Sequence, residues 1–296
     1  MKEIVVISGK GGTGKTSITA SFSALAAGDL VAADCDVDAA DMHLLLKPDM
    51  ALAEDFYSGE TAVIDPDACI ACGRCYEACH FGAIHSAEGF YAVDPLSCEG
   101  CGYCARTCPT EAITNHPGKA GVWYSSTTRL AFTMIHAALG IGSENSGKLV
   151  AHVKKQARAA ALAQGKPYVL VDGSPGIGCP VVSSLSGADY VVLVTEPTVS
   201  GVHDLKRVYE LVKKFNIPAG CIINKADINT AIAATIRDFL ELEHIDQLGE
   251  LPYDENVTRA MVAGLTIVEH DTGALRETLQ DAWKRVRLHV DSSTQK

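Results

Sequence analysis

The chain has 296 residues, enough for one large α/β domain or one domain carrying a small insertion. Its 47% apolar content is ample for a core, without a polar low-complexity tract. The 25 basic and 36 acidic residues give a net charge of −11, which disfavours general nucleic-acid binding, because that needs a basic face to meet phosphates.

In chain order, Glu3–Ile7 predicts an apolar strand running into Gly9-Lys10-Gly11-Gly12-Thr13-Gly14-Lys15-Thr16-Ser17. This matches G-x4-G-K-[ST] in the strand-to-helix setting that a phosphate loop requires. Glycines let backbone N–H groups turn inward around phosphates, and a helix N-terminus favours their charge. Lys15 is then expected at the β- and γ-phosphates of ATP, with the Thr16 hydroxyl on Mg²⁺. The helix is predicted from Lys15 to about Ala27, closed by Gly28. A strand near Leu30–Ala33 follows and ends in Asp34-Cys35-Asp36.

From about Thr61 to Asn115 the pattern changes. Two near-copies of one motif, CIACGRCYEACHFGAI from Cys69 and CEGCGYCARTCPTEAI from Cys98, each read C-x2-C-x2-C-x3-C. This is the spacing by which bacterial two-cluster ferredoxins hold [4Fe–4S] centres, three thiolates from one run and the fourth from the other. The expected ligand sets interlock: Cys69, Cys72, Cys75 and Cys108 for one cluster, and Cys79, Cys98, Cys101 and Cys104 for its partner. A zinc ribbon needs two C-x2-C pairs per metal, which this spacing does not supply. The start of the chain reads as an apolar strand rather than a cleavable signal. No apolar run approaches the ~18 residues that span a bilayer. The expected compartment is therefore the cytosol, where thiols serve metals rather than disulfides. Cys108 is followed by Pro109, as in ferredoxins, whereas Cys79 is followed by His80, either an ordinary histidine or a pH-linked tuning group.

Beyond the motif, His116-Pro117-Gly118 marks an exit and Gly121–Ser125 a returning strand. A helix from about Gly147 to Gln164 precedes the strand Tyr168–Val171, which leads into Asp172 and SPGIGCP. Strands Tyr190–Val194 and Ala219–Ile223 flank a helix beginning near Val202. The last segment, Ala274–Val290, places Leu275, Leu279, Trp283, Val286 and Val290 on one helical stripe. Its Lys284, Arg285 and Arg287 fit either a packed terminal helix or a membrane-facing basic helix. The predicted fold is α/β: a mostly parallel sheet with helices on both faces, carrying a small ferredoxin-like α+β insertion. Residues 1–60 and 116–296 are assigned to the ATPase domain and 61–115 to the insertion.

K-G-G-T-G-K-T, with a lysine at position 10, resembles the deviant Walker A loop of MinD/Mrp/ParA ATPases and the nitrogenase iron protein. The resemblance spans nearly the whole chain and is nearest to MinD-superfamily ATPases carrying an inserted two-cluster ferredoxin domain. It implies that Lys10 reaches the partner's nucleotide across a dimer, stabilising phosphoryl transfer as an arginine finger does. It further implies that Asp36 orients the attacking water, with Asp34 or Asp38 near the metal. Asp172 would hold Mg²⁺, completing a set of Thr16, Asp36 and Asp172, and Pro175-Gly176 would sense the γ-phosphate. Asn224 would read adenine, with Leu251-Pro252-Tyr253 closing over the base. Cys35 and Cys221 read as core thiols, and Cys179 as a free thiol or a ligand of an intersubunit cluster.

The function expected is an ATP-hydrolysing dimer, homodimeric or paired with a paralogue, that couples nucleotide state to electron transfer through two [4Fe–4S] clusters. The alternative is an iron–sulfur cluster or metallocofactor assembly and carrier ATPase, with an apo-metalloprotein as partner in place of a redox protein. Neither reading involves nucleic acid, and membrane association is not expected.

Overall fold

The computed structural model describes residues 1–140 and 146–292, which form two compact units. The first comprises Met1–Ala53, Trp123–Ala138 and the chain from Ser146 onward, and the second is built on Glu54–Val122. The elements begin with β1 (Lys2–Ile7), α1 (Lys15–Leu25), β2 (Leu30–Asp34), α2 (Met42–Leu46) and β3 (Leu52–Ile64). Next come α3 (Arg74–Ala78), β4 (Ile84–Ala87), β5 (Phe90–Val93), α4 (Tyr103–Thr107), β6 (Ile113–Thr127) and β7 (Thr133–Leu139). Then follow α5 (Ser146–Ala163), β8 (Tyr168–Asp172), α6 (Cys179–Leu185), β9 (Tyr190–Thr195) and α7 (Val199–Lys214). The chain closes with β10 (Ala219–Ile223), α8 (Thr230–Leu242), β11 (Asp246–Glu250), α9 (Glu255–Ala263), α10 (Ile267–His270) and α11 (Ala274–Ser292).

In the first unit the sheet order is β11-β10-β9-β1-β8-β2-β7, and every pairing along it is parallel. Such strands are buried on both faces, which is why β1, β2, β8 and β9 read as unbroken apolar runs. Ile4, Val6, Leu30, Ala32 and Leu170 belong to one core with Ile18 and Phe22 of α1. The α11 stripe joins that core: Leu275, Leu279, Trp283, Val286 and Val290 are all buried, with the Phe22 and Trp283 rings 5.3 Å apart. Because the stripe is consumed in packing, α11 is a core helix, and its basic residues project to solvent on the opposite side. No helix of the described residues is long and apolar enough to cross a membrane.

In the second unit β6 lies beside β3, and β4 pairs antiparallel with β5. Its small core joins Ala62, Ile64, Ile84 and Ile113 to Cys75, with five further cysteines of the two motifs packed against them. The sequence expectation of an exit turn at His116-Pro117-Gly118 is corrected here. These residues lie inside the 15-residue strand β6, and Gly118 allows close approach of β3, since a Cβ there would come within 3.1 Å of Thr61 Oγ1. The long strands β3 and β6 also carry this unit to residues 54 and 122, past the expected limits of 61 and 115.

Candidate nucleotide site and cysteine hollows

The carboxyl ends of the parallel strands converge on one cavity of about 650 Å³, where ligands of open α/β sheets bind. Gly11–Ser17, Asp36, Asp38, Ser174, Pro175, Asn224, Lys225, Pro252 and Tyr253 line it, together with apolar Leu44, Val257 and Met261. Gly14 sits at φ 90°, where a side chain would be strained, and its carbonyl accepts the Ile18 N–H that starts α1.

Lys15 is almost fully buried, its ammonium 2.9 Å from Asp172 Oδ1 and 3.4 Å from Asp36 Oδ2. Burial pulls its pKa down, but the charges of Asp172, Asp36 and Asp34 outweigh this and leave it above the ordinary value. Asp172 also accepts from the hydroxyls of Thr16 (2.7 Å) and Thr19 (2.9 Å). Thr16, Asp36 and Asp172, the expected Mg²⁺ group, therefore stand together around Lys15. They supply only two carboxylates, which suits an ion that takes its remaining ligands from water and phosphate. Among the described residues no three His, Cys, Asp or Glu side chains form a single-ion site.

Of the two aspartates expected near the metal, Asp38 lines the cavity and Asp34 does not. Asp34 is fully buried and accepts the N–H groups of Asp36 and Met42, so it anchors the loop from β2 to α2. Burial, then the Asp172 charge, pushes its pKa up. Ser174 was not singled out by the sequence; its hydroxyl donates to the Cys35 carbonyl at 2.6 Å, tying the loop after β8 to the one after β2. The Gly176 N–H, expected at a γ-phosphate, donates here to the Ser8 carbonyl at 2.9 Å.

Gly9 and Lys10 do not line the cavity. A Cβ on Gly9 would lie 2.4 Å from the Asp204 carbonyl oxygen, so this glycine permits close packing against α7. Lys10 is held within its own chain: its ammonium is 2.7 Å from Glu196 Oε1 and 3.1 Å from both Thr198 Oγ1 and Ser200 Oγ. Lys225 takes the other Glu196 oxygen at 3.0 Å. Burial pushes the Glu196 carboxyl up, but these two lysines bring it below the ordinary range. Glu196 was another residue the sequence reading passed over; an acid between an apolar strand and a proline was its one signal. Asn224, expected at the base, donates from Nδ2 to the Thr13 carbonyl at 2.8 Å, bracing β10 against the phosphate loop. Tyr253 N–H donates to Asp227 Oδ1 at 2.6 Å, which fixes the loop beside Pro252.

In the second unit, Cys69, Cys72, Cys75 and Cys108 line one hollow, and Cys79, Cys98, Cys101 and Cys104 line another. The two loops share a backbone trace because Gly73 (φ 78°) and Gly102 (φ 70°) are left-handed and start the five-residue helices α3 and α4. Burial pushes the Cys75 and Cys104 thiols up. At Cys108 burial acts the same way but is outweighed by hydrogen bonds from Thr110 and the following backbone, leaving its thiol below the ordinary value. No two of the eleven cysteines are joined in a disulfide. Cys35 and Cys221 are buried in the core of the first unit, where burial raises both, and Cys179 is exposed at the start of α6.

Residues 4–267 match the family model described as the CobQ/CobB/MinD/ParA nucleotide-binding domain. The chain belongs to this family. It is a nucleotide-binding ATPase of the MinD/ParA type, with the α/β fold that the type implies. It is 32% identical over 291 residues to the uncharacterized protein MJ0578 of Methanocaldococcus jannaschii, covering 97% of each chain. It is 26% identical over 276 residues to MJ0579 of the same organism, covering 92% of this chain and 93% of that one. Among solved structures, the cell-division ATPase MinD of Pyrococcus furiosus aligns over 97% of this chain and 98% of its own, with a TM-score of 0.57 at 18% identity. MinD of Aquifex aeolicus aligns over 97% of this chain and 96% of its own, with a TM-score of 0.58 at 17% identity.

Proposed function

We propose that this chain is an ATP-hydrolysing switch protein that couples its nucleotide state to electron transfer through two [4Fe–4S] clusters, acting as a dimer toward a redox partner. The observation that carries the reading is the lining of the two hollows. Each gathers three cysteines from one motif and the fourth from the other, the interlocked set that a pair of cubes requires. A zinc ribbon holds its ion with two C-x2-C pairs, whereas each hollow is lined by three cysteines of one motif and one of the other. A cube takes each thiolate at a different iron, so the donor set fits it. Bound cubes would supply one-electron transfer and nothing else.

The chain's own residues do the rest. Lys15 exchanges Asp172 and Asp36 for the β- and γ-phosphates; Asp172 and the Thr16 hydroxyl would then hold Mg²⁺, which would offset the phosphate charge. Asp36 then orients water for hydrolysis. Lys10 leaves Glu196 for the partner's nucleotide, so dimer formation costs a partly buried ion pair and is made up by phosphate contacts. The loops after β2 and β8, tied by Ser174, respond to the γ-phosphate together. The second unit lies between these two loops in sequence, following the loop after β2 through α2 and preceding the loop after β8 by β7, α5 and β8. Interlocked ligands disfavour a cluster-carrier role, since releasing one cube dismantles the site of the other.

The test is analysis of anaerobically prepared protein for iron, sulfide and zinc, followed by redox titration in ATP-analogue and ADP states. About eight iron and eight sulfide per chain are expected, with different midpoint potentials in the two nucleotide states. Zinc without iron would overturn the cluster reading. Identical potentials, with full iron, would overturn the coupling.

A further inference from the structure

The two cysteine loops share one backbone design, so the chemical difference between them lies in a few side chains. Aligned on their cysteines, Ile70 corresponds to Glu99, Arg74 to Tyr103 and Thr110 to Phe81. All six line the hollows. Ile70, Arg74 and Thr110 border the hollow of Cys69, Cys72, Cys75 and Cys108, and Glu99, Tyr103 and Phe81 border that of Cys79, Cys98, Cys101 and Cys104. At these positions one hollow therefore holds a guanidinium, an aliphatic chain and an alcohol where its counterpart holds a phenol, a carboxylate and a phenyl ring. The Thr110 oxygen is 3.7 Å from Cys108 Sγ and donates to the Ala68 carbonyl at 2.9 Å, and its single proton can turn to a thiolate instead. Phe81 has no proton to offer.

We infer that the two sites are electrostatically ordered: the Cys69 hollow holds the centre of higher potential and the Cys98 hollow the centre of lower potential. The inference rests on the iron–sulfur reading proposed above. One electron entering a cluster adds one negative charge to it. A nearby guanidinium and a donor to ligand sulfur stabilise the reduced form, and a nearby carboxylate destabilises it. Arg74 and the Thr110 hydroxyl thus act in one direction, and Glu99 acts oppositely on the other centre. Glu77 and Arg106 also exchange places between the loops, but neither borders a hollow. A first electron from a one-electron donor comes to rest in the Cys69 hollow. A second electron reduces the Cys98 hollow, which becomes the stronger reductant of the pair and the one suited to a difficult acceptor.

Arg74 and Glu99 are both exposed, so substitution there leaves the small core untouched, and added salt should narrow the interval between the two centres. The test is an anaerobic dithionite titration of the full chain with its clusters, followed by electron paramagnetic resonance. The wild type, Arg74→Gln, Glu99→Gln and the charge exchange Arg74→Glu/Glu99→Arg are compared. Two reduction steps are expected. Arg74→Gln should lower the upper step alone, Glu99→Gln should raise the lower step alone, and the exchange should reverse the order. The inference is overturned if Arg74→Gln moves the lower step, if Glu99→Gln moves the upper one, or if neither substitution moves either step. Absence of any cluster signal in the wild type would instead remove the iron–sulfur reading, and this inference with it.

Discussion

Replacing Lys15 with alanine is the usual way to silence a phosphate loop, and in this chain it should also undermine the fold. The ammonium is 6% exposed and lies 2.9 Å from Asp172 Oδ1, a carboxylate with 0% exposure. At an effective dielectric near 20, that separation corresponds to about 6 kcal/mol of attraction, offset in part by the desolvation of both groups. Removing one partner leaves the other charge buried and unpaired, which costs about 3–5 kcal/mol. Against a typical domain stability of about 5–15 kcal/mol, that is a large share. Urea unfolding of the nucleotide-free wild type and Lys15→Ala should show this loss near neutral pH. Burial raises the carboxyl pKa values of Asp34 and Asp36 above their unfolded ones, and removing the lysine takes away the cation that offsets this. The penalty is therefore present at high pH and recedes as pH falls and the carboxyls take up protons. Asp172→Asn in the Lys15→Ala background should recover part of the loss. A loss below about 1 kcal/mol, or one that is the same at about pH 8 and about pH 5, would refute the argument that Lys15 balances buried carboxylates.

Asp36→Ala should bind ATP yet stop turnover, because Asp36 borders the cavity without joining the phosphate loop; hydrolysis at the wild-type rate in a phosphate-release assay would refute its role. His136, buried against Tyr124 and bonded to the Ser126 hydroxyl, has its pKa pulled from 6.5 to about 4, by burial first and then by His43. The unfolded state binds the extra proton, so stability is lost as pH falls from 6.5 toward about 4, by up to about 3 kcal/mol. Urea unfolding of His136→Gln should show a shallower acid loss across that window, and an unchanged slope would count against burial as the cause. Gly9→Ala should destabilise by about 1–3 kcal/mol through overpacking on α7, measured as a lowered unfolding midpoint with the second unit's cysteines intact.

The chain's chemistry was legible wherever local spacing fixes geometry. A glycine loop between strand and helix can close only in a few ways, so residues 9–17 read as a phosphate loop; Gly11–Ser17 of that run line the cavity, and the chain belongs to a nucleotide-binding family. The apolar runs of β1, β8 and β9 disclosed strands covered on both faces, and the stripe on α11 disclosed its packed side. Pairings between residues far apart in sequence left no such trace. That Lys10 rests on Glu196, that Asp34 anchors a loop rather than facing the cavity, and that Ser174 ties two loops together all depend on which strand ends lie side by side. Single polar residues at those ends look alike in sequence. The strand through His116-Pro117-Gly118 was hidden for the same reason: proline and glycine signal a turn locally, and only the neighbouring β3 makes an extended path the better one. Sequence therefore determined which reactive groups the chain carries and at what intervals, because short-range sterics decide that. The parallel sheet determined which of them meet, because only tertiary packing sets β1, β2, β8, β9 and β10 side by side.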